Sequence, residues 1–280
     1  MAAAVATLSL SAQAGGHYVA GVEGIQAASV PPPGTYYLGY LVDYNINQFK
    51  DTAGNQVPGA NTGTVVALAN RAVWISPYKF LGADFGMETI VPVVRTSLTA
   101  TFANDSQTGV GDVYLGPVVL GWHGSNWDAV AAAGFWLDSA DSTKPTSAGK
   151  GYKTTMLTGG ATYYFDADKK IAGSALMRFE TNTQQANGIT PGNQGTLEWG
   201  ISKVMGPVQV GLVGYDQVQL SSDSGTGAIG NLSSRHAIGA EVVLPIMSAG
   251  VFLKAAAYNE YSSVGGPIGN LLRFTFVKAF

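Results

Sequence analysis

The sequence predicts an all-β fold, a transmembrane antiparallel up-and-down β-barrel of about twelve strands, and three observations carry that prediction. First, residues 271–280 alternate: Leu272, Phe274, Phe276 and Phe280 share one face, and Leu271, Arg273, Thr275, Val277 and Ala279 the other. Soluble chains usually fray at their termini, whereas a closing strand of about ten residues ending on phenylalanine suits a bacterial outer-membrane barrel. Second, hydrophobic residues make up 46% of the 280 and charged residues only 12%, about half the usual share, yet no run of 18 apolar residues exists, which excludes a transmembrane helix. Apolar residues spread over every second position reconcile these facts. Third, short and long connections alternate along the chain, as they do in barrels with tight periplasmic turns and longer extracellular loops.

The elements follow in order. Residues 1–14 read as a signal-peptide remnant: an apolar stretch, then Ala12-Gln13-Ala14 before Gly15, without a positive n-region. Residues 15–34 read as an N-terminal arm, because Gly15, Gly16, Gly21, Gly24 and Gly34 break any strand pattern and Pro31-Pro32-Pro33 imposes an extended segment. The arm is expected either at the periplasmic mouth or inside the lumen, where Gly16, His17, Tyr18, Pro31, Pro32 and Pro33 would act as a plug. Residues 35–280 form the barrel, with strands near 35–48, 63–76, 79–100, 111–123, 127–138, 151–165, 170–183, 195–205, 207–220, 235–245, 250–261 and 270–280. Short joins fall at 77–78, 124–126, 166–168, 206 and 246–248, and long joins at 49–62, 101–110, 139–150, 184–194, 221–234 and 262–269.

Charge assigns the faces, since a lysine or arginine on the lipid face near the midplane costs ~2–4 kcal/mol. The lumen is thereby expected to hold Asp43, Arg71, Asp84, Glu88, Asp112, Arg178, Glu180, Glu198, Glu241, Lys254, Glu260 and Arg273. Such groups either pair to hold the barrel's shape or form a constriction that sorts solutes. Tyr37, Leu41, Tyr114, Leu120, Trp136, Tyr163, Phe252 and Tyr258 are expected on inward faces too, as fillers or as contacts for an apolar solute. Lys203 and Lys278 fall on apolar faces near strand ends, where they can snorkel. Asp216 falls outward under strict alternation, which suggests a bulge or a strand top.

Catalytic and cofactor chemistry find little support. His17, His123 and His236 lack metal-ligand spacing, and with no cysteine the chain offers no disulfide or thiolate site. Ser234 and His236 share a strand face, but no orienting acid is identifiable from spacing alone. The glycine-rich stretch 225–230 lacks the lysine of a phosphate loop, and a net charge of -3 argues against nucleic acid. The reading is a non-enzymatic outer-membrane protein without cofactor. Its expected partners are membrane lipid, lipopolysaccharide, small hydrophobic solutes and, through Phe280, the barrel-assembly machinery.

Gly16-His17-Tyr18-Val19-Ala20-Gly21-Val22-Glu23-Gly24-Ile25, with Pro31-Pro32-Pro33-Gly34-Thr35-Tyr36-Tyr37, resembles the opening of the phenol meta-pathway outer-membrane family. Gly111-Asp112-Val113-Tyr114-Leu115-Gly116-Pro117 and Gly121-Trp122-His123 are similar to its mid-chain signature. The resemblance spans residues 15–280. It implies passive uptake of small aromatic or hydrophobic compounds and no agreed catalytic residues; a general or ion-type porin, a surface lipid hydrolase and a closed structural barrel are the alternatives. Lys278 departs from the aromatic or apolar residue that C-terminal assembly signals often carry.

Overall fold

A computed structural model describes residues 16–228, 230 and 232–280, so the cleavage segment 1–14 lies outside the described residues. Alternation of apolar and polar side chains produces strands throughout: β1 (Gly34–Phe49), β2 (Thr62–Phe80), β3 (Ala83–Ala100), β4 (Ala103–Val110), β5 (Tyr114–His123), β6 (Trp127–Trp136), β7 (Thr154–Tyr164), β8 (Ile171–Asn182), β9 (Gln194–Met205), β10 (Val208–Gln219), β11 (Ser234–Ile246), β12 (Val251–Val264) and β13 (Pro267–Ala279). Twelve of them close a barrel. Each pairs antiparallel with its neighbours, β3 skips to β5, and β13 returns to β1. The Phe280 amide donates to the Thr35 carbonyl at 3.0 Å, so the last residue completes the seam. Closure satisfies every edge, which a lipid environment requires.

Three connections differ from expectation. Residues 101–110 are not a loop: β3 and β4 form a hairpin turning at Thr101 and Phe102 and standing beyond the barrel wall. The join after β2 falls at Leu81-Gly82, both with positive φ, rather than at 77–78; β2 continues through an irregularity between Ile75 and Lys79. The segment 262–269 is a tight turn at Gly265-Gly266, because Val264 and Pro267 still pair with β11 and β1.

The outer face carries an apolar band, including Leu41, Leu68, Leu244, Leu253, Phe274 and Phe276. Trp74, Trp127, Tyr163, Phe165 and Phe280 ring its periplasmic edge, the aromatic girdle of an outer-membrane barrel. The charged groups Arg178, Glu180, Glu198, Glu241, Glu260 and Arg273 are buried inside.

Five inward assignments are corrected. In β1 the buried side chains are Tyr40, Val42, Tyr44 and Ile46, so Tyr37, Leu41 and Asp43 point outward. Asp43 misled the charge rule because it lies on the rim of the apolar band, paired in register with Val66 and Leu272 and bonded by Asn45 Nδ2 at 3.2 Å. Tyr163 also faces out, 48% exposed and edge-on to Phe165, while its neighbour Tyr164 points in and donates to Asp128 at 2.6 Å. A bulge between Leu115 and Val118 reverses alternation in β5, burying Val119 and turning Leu120 outward. Asp216 lies on the outward face of β10 in unbroken register, not at a bulge. It is held by His236 Nδ1 at 2.7 Å and by Trp199 Nε1 at 3.3 Å.

Candidate functional site

The arm occupies the lumen, and inward-facing side chains from across the barrel hold its backbone. A glycine-rich segment exposes amides and carbonyls that water cannot reach here, so charged side chains must satisfy them. Tyr18 N donates to Glu180 at 3.0 Å, and the Tyr18 hydroxyl donates to Glu198. The other Glu198 oxygen accepts Glu23 N at 3.1 Å and Gly24 N at 3.3 Å. Ile25 N donates to Glu241 at 2.6 Å; Arg273, fully buried, pairs with Glu241 at 2.5 Å and donates to the carbonyls of Gly21 and Val22. Gly24 has φ +68°, and a Cβ there would lie 1.7 Å from the Glu241 carboxylate, so both conformation and space demand glycine.

The arm runs the length of the barrel. At its extracellular end His17 lies between Asp112, 3.1 Å from Nε2, and Thr154, 2.7 Å from Nδ1, and stacks on Trp136. Gly16 packs against the Glu180 carboxylate. At the periplasmic end Val30 packs with Val73, Ile75 and Val119, and Pro31, Pro32 and Pro33 lead into β1. Near that end Asp84 binds Lys79 at 2.6 Å and lies 3.5 Å from His123.

Glu23 joins the arm to the wall. It accepts from Arg71 at 3.1 Å and Arg178 at 2.7 Å, while Arg71 also binds Glu88 at 2.5 Å and the Tyr40 hydroxyl at 3.1 Å. This neutral cluster of two acids and two bases is the floor of a cavity of about 290 Å³. One wall is apolar, from Val42, Ile46, Val65, Ala67, Ile90 and Leu98. The opposite wall is aromatic, from Tyr18, Tyr114 and Trp136, and residues 145–150 form the roof. Above, Glu260 accepts from Tyr44 and Tyr215 at 2.6 and 2.7 Å. Tyr258 and Phe252 belong to the main lumenal apolar cluster, and Lys254 lines the wall one residue pair from Glu241 and Arg273.

Sequence reasoning missed Glu23, Arg235, Asp128 and Tyr40. An isolated acid inside a glycine-rich arm was the available signal for Glu23, because a lone charge entering a barrel must find a cation. No hydrogen bond joins Ser234 to His236, so the acid found beside the imidazole, Asp216, orients a base without a nucleophile.

Residues 46–276 match the family described as "Putative MetA-pathway of phenol degradation". No curated protein matches the chain by sequence. Among solved structures, the COG4313 outer membrane channel from Pseudomonas putida F1 is similar at TM-score 0.80 and 13% identity, over 90% of this chain and 97% of that one. The beta domain of the Bordetella autotransporter BrkA gives 0.51 and 11% over 88% and 100%, and the translocator domain of NalP from Neisseria meningitidis 0.50 and 10% over 89% and 90%. The shared property is the twelve-stranded outer-membrane barrel fold.

Proposed function

We propose that this chain, which belongs to the phenol MetA-pathway family, is an outer-membrane channel for passive uptake of small hydrophobic or aromatic compounds, with its arm as the gate. The observation that carries this reading is the cavity: apolar on one side, aromatic on the other, and roofed by loop residues 145–150. An engineered apolar cavity of about 150 Å³ holds benzene, so about 290 Å³ accommodates a monocyclic solute. Weak partition sites of this kind allow a solute to enter and to leave. The arm blocks the direct route to the periplasm, so transit requires it to shift; each of its contacts to the wall is a hydrogen bond, an ion pair or a small apolar contact, none covalent. In this reading Phe280, 79% exposed at the periplasmic rim, is the handle for the assembly machinery, and the outer apolar band meets lipid and lipopolysaccharide.

Proteoliposomes test the proposal. Toluene-sized solutes are expected to equilibrate faster through the protein than glucose-sized sugars. Equal rates for both would support a general porin instead, and no flux of either would support a closed structural barrel.

A further inference from the structure

Three lumenal side chains carry hydrogen-bonding groups that no described residue satisfies: Tyr114 through its hydroxyl, Trp136 through Nε1, and Arg178 through Nε and Nη1. The residues are 1%, 7% and 6% exposed. Native structures leave few buried polar atoms without partners, and each calls for a reason. All three residues line the same cavity. They also adjoin one another: the Tyr114 and Trp136 rings lie 5.0 Å apart, Arg178 stacks 4.0 Å over the Tyr18 ring, and Met156 packs with the three aromatics. Gly134 leaves the room in which the Tyr114 ring lies, since a Cβ there would come within 2.2 Å of the hydroxyl.

The chemistry of this patch is one-sided. Indole Nε1 and the guanidinium nitrogens can only donate, and the tyrosine hydroxyl can. Arg178 spends Nη2 on Glu23 at 2.7 Å, which leaves its other nitrogens facing the cavity wall. Arg71, by contrast, is filled by Glu88, Glu23 and Tyr40 and offers nothing further to a ligand. Flat aromatic surfaces beside unpaired donors fit a flat ring carrying an oxygen acceptor. A bare hydrocarbon would cover the donors without pairing them, which costs affinity.

We propose that Tyr114, Trp136 and Arg178 form a recognition subsite for monocyclic aromatic compounds bearing a carbonyl or carboxylate oxygen. This rests on the uptake reading above for its purpose, but it concerns equilibrium binding rather than flux. The donors set the preference for oxygenated rings, and the apolar wall supplies affinity common to all rings.

The test is calorimetric titration of the full-length protein in detergent, against a detergent blank, with acetophenone, benzoate and toluene. Acetophenone or benzoate is expected to bind at least about tenfold more tightly than toluene. The double variant Tyr114→Phe, Trp136→Phe keeps two aromatic rings and removes two donors. It is expected to bring the oxygenated ligands to within about threefold of toluene while toluene affinity stays unchanged. Its fold is checked by the heat-dependent gel shift of intact barrels, and Trp136→Phe alone serves if the double variant fails that check. Equal affinity for toluene and both oxygenated rings in the unmodified protein, or full retention of the preference in the variant, would overturn the subsite. Acetophenone binding alone assigns the carbonyl form, and benzoate binding alone the carboxylate form. If toluene crosses proteoliposomes but the preference is absent, only the subsite falls. If the preference holds and nothing crosses, only the channel reading falls.

Discussion

Replacing Glu23 by Gln should convert the arm from a docked segment into a fluctuating one. The side chain is 14% exposed and neutralises two guanidinium groups, Arg71 at 3.1 Å and Arg178 at 2.7 Å, whose own side chains are 17% and 7% exposed. Hydrogen bonds to charged groups contribute ~1.5–3 kcal/mol each, and removing one partner of a buried pair costs ~3–5 kcal/mol. Arg71 keeps Glu88 at 2.5 Å, so most of the loss falls on Arg178. The sum is about 3 kcal/mol against the docked arm, or about 100-fold in its docking equilibrium. Single-channel recording in planar bilayers reads this directly: open events are expected to become about 100-fold more populated, with a conductance equal to that of a variant lacking residues 16–33. The barrel ladders close without the arm, so that deletion supplies the fully open reference. If the deletion raises conductance and Glu23→Gln leaves the open population unchanged, the ion-pair floor does not hold the arm. If the deletion itself leaves conductance unchanged, the arm is not the gate.

Two further outcomes follow from the same geometry. Leu253 is 41% exposed on the outer face between Leu244 and Phe276 in register, so Leu253→Arg is expected to destabilise the barrel by ~2–4 kcal/mol in urea unfolding from bilayers; a change below about 0.5 kcal/mol would place this face out of hydrocarbon. The roof loop hangs on two exposed carboxylates: Asp141, whose pKa is lowered chiefly by the Ser147 hydroxyl at 2.5 Å, and Asp105, lowered chiefly by the Ser106 amide with help from Thr146 at 3.0 Å. Depressed folded-state values mean that their contribution is fully present above the ordinary value of 3.8 and is lost as pH falls through the folded values. Pepsin cleavage within 139–150, normalised to an unstructured peptide, should therefore rise between about pH 4 and about pH 2; a flat profile would show that these carboxylates do not hold the loop.

The sequence alone determined the parts of this protein that depend on period and solvent. Side chains alternate with a repeat of two in any strand, and lipid outside with a polar interior forces charges inward. Glu198 and Arg273 therefore declare their faces from their neighbours alone, as does the outward run Ile238, Val242 and Leu244. The same logic could not separate Tyr163 from Tyr164, since adjacent tyrosines fit either face, and it failed at Asp43, where the apolar band ends before the strand does. Nor could it foresee the bulge that turns Leu120 outward, because one extra residue costs little locally and reverses all that follows. The arm's path was decided only by tertiary structure. Its amides meet Glu180, Glu198 and Glu241 across 162 to 216 residues of chain, and no local periodicity encodes such partners. They meet because twelve strands close into a tube narrow enough that a glycine-rich segment inside it reaches opposite walls at once.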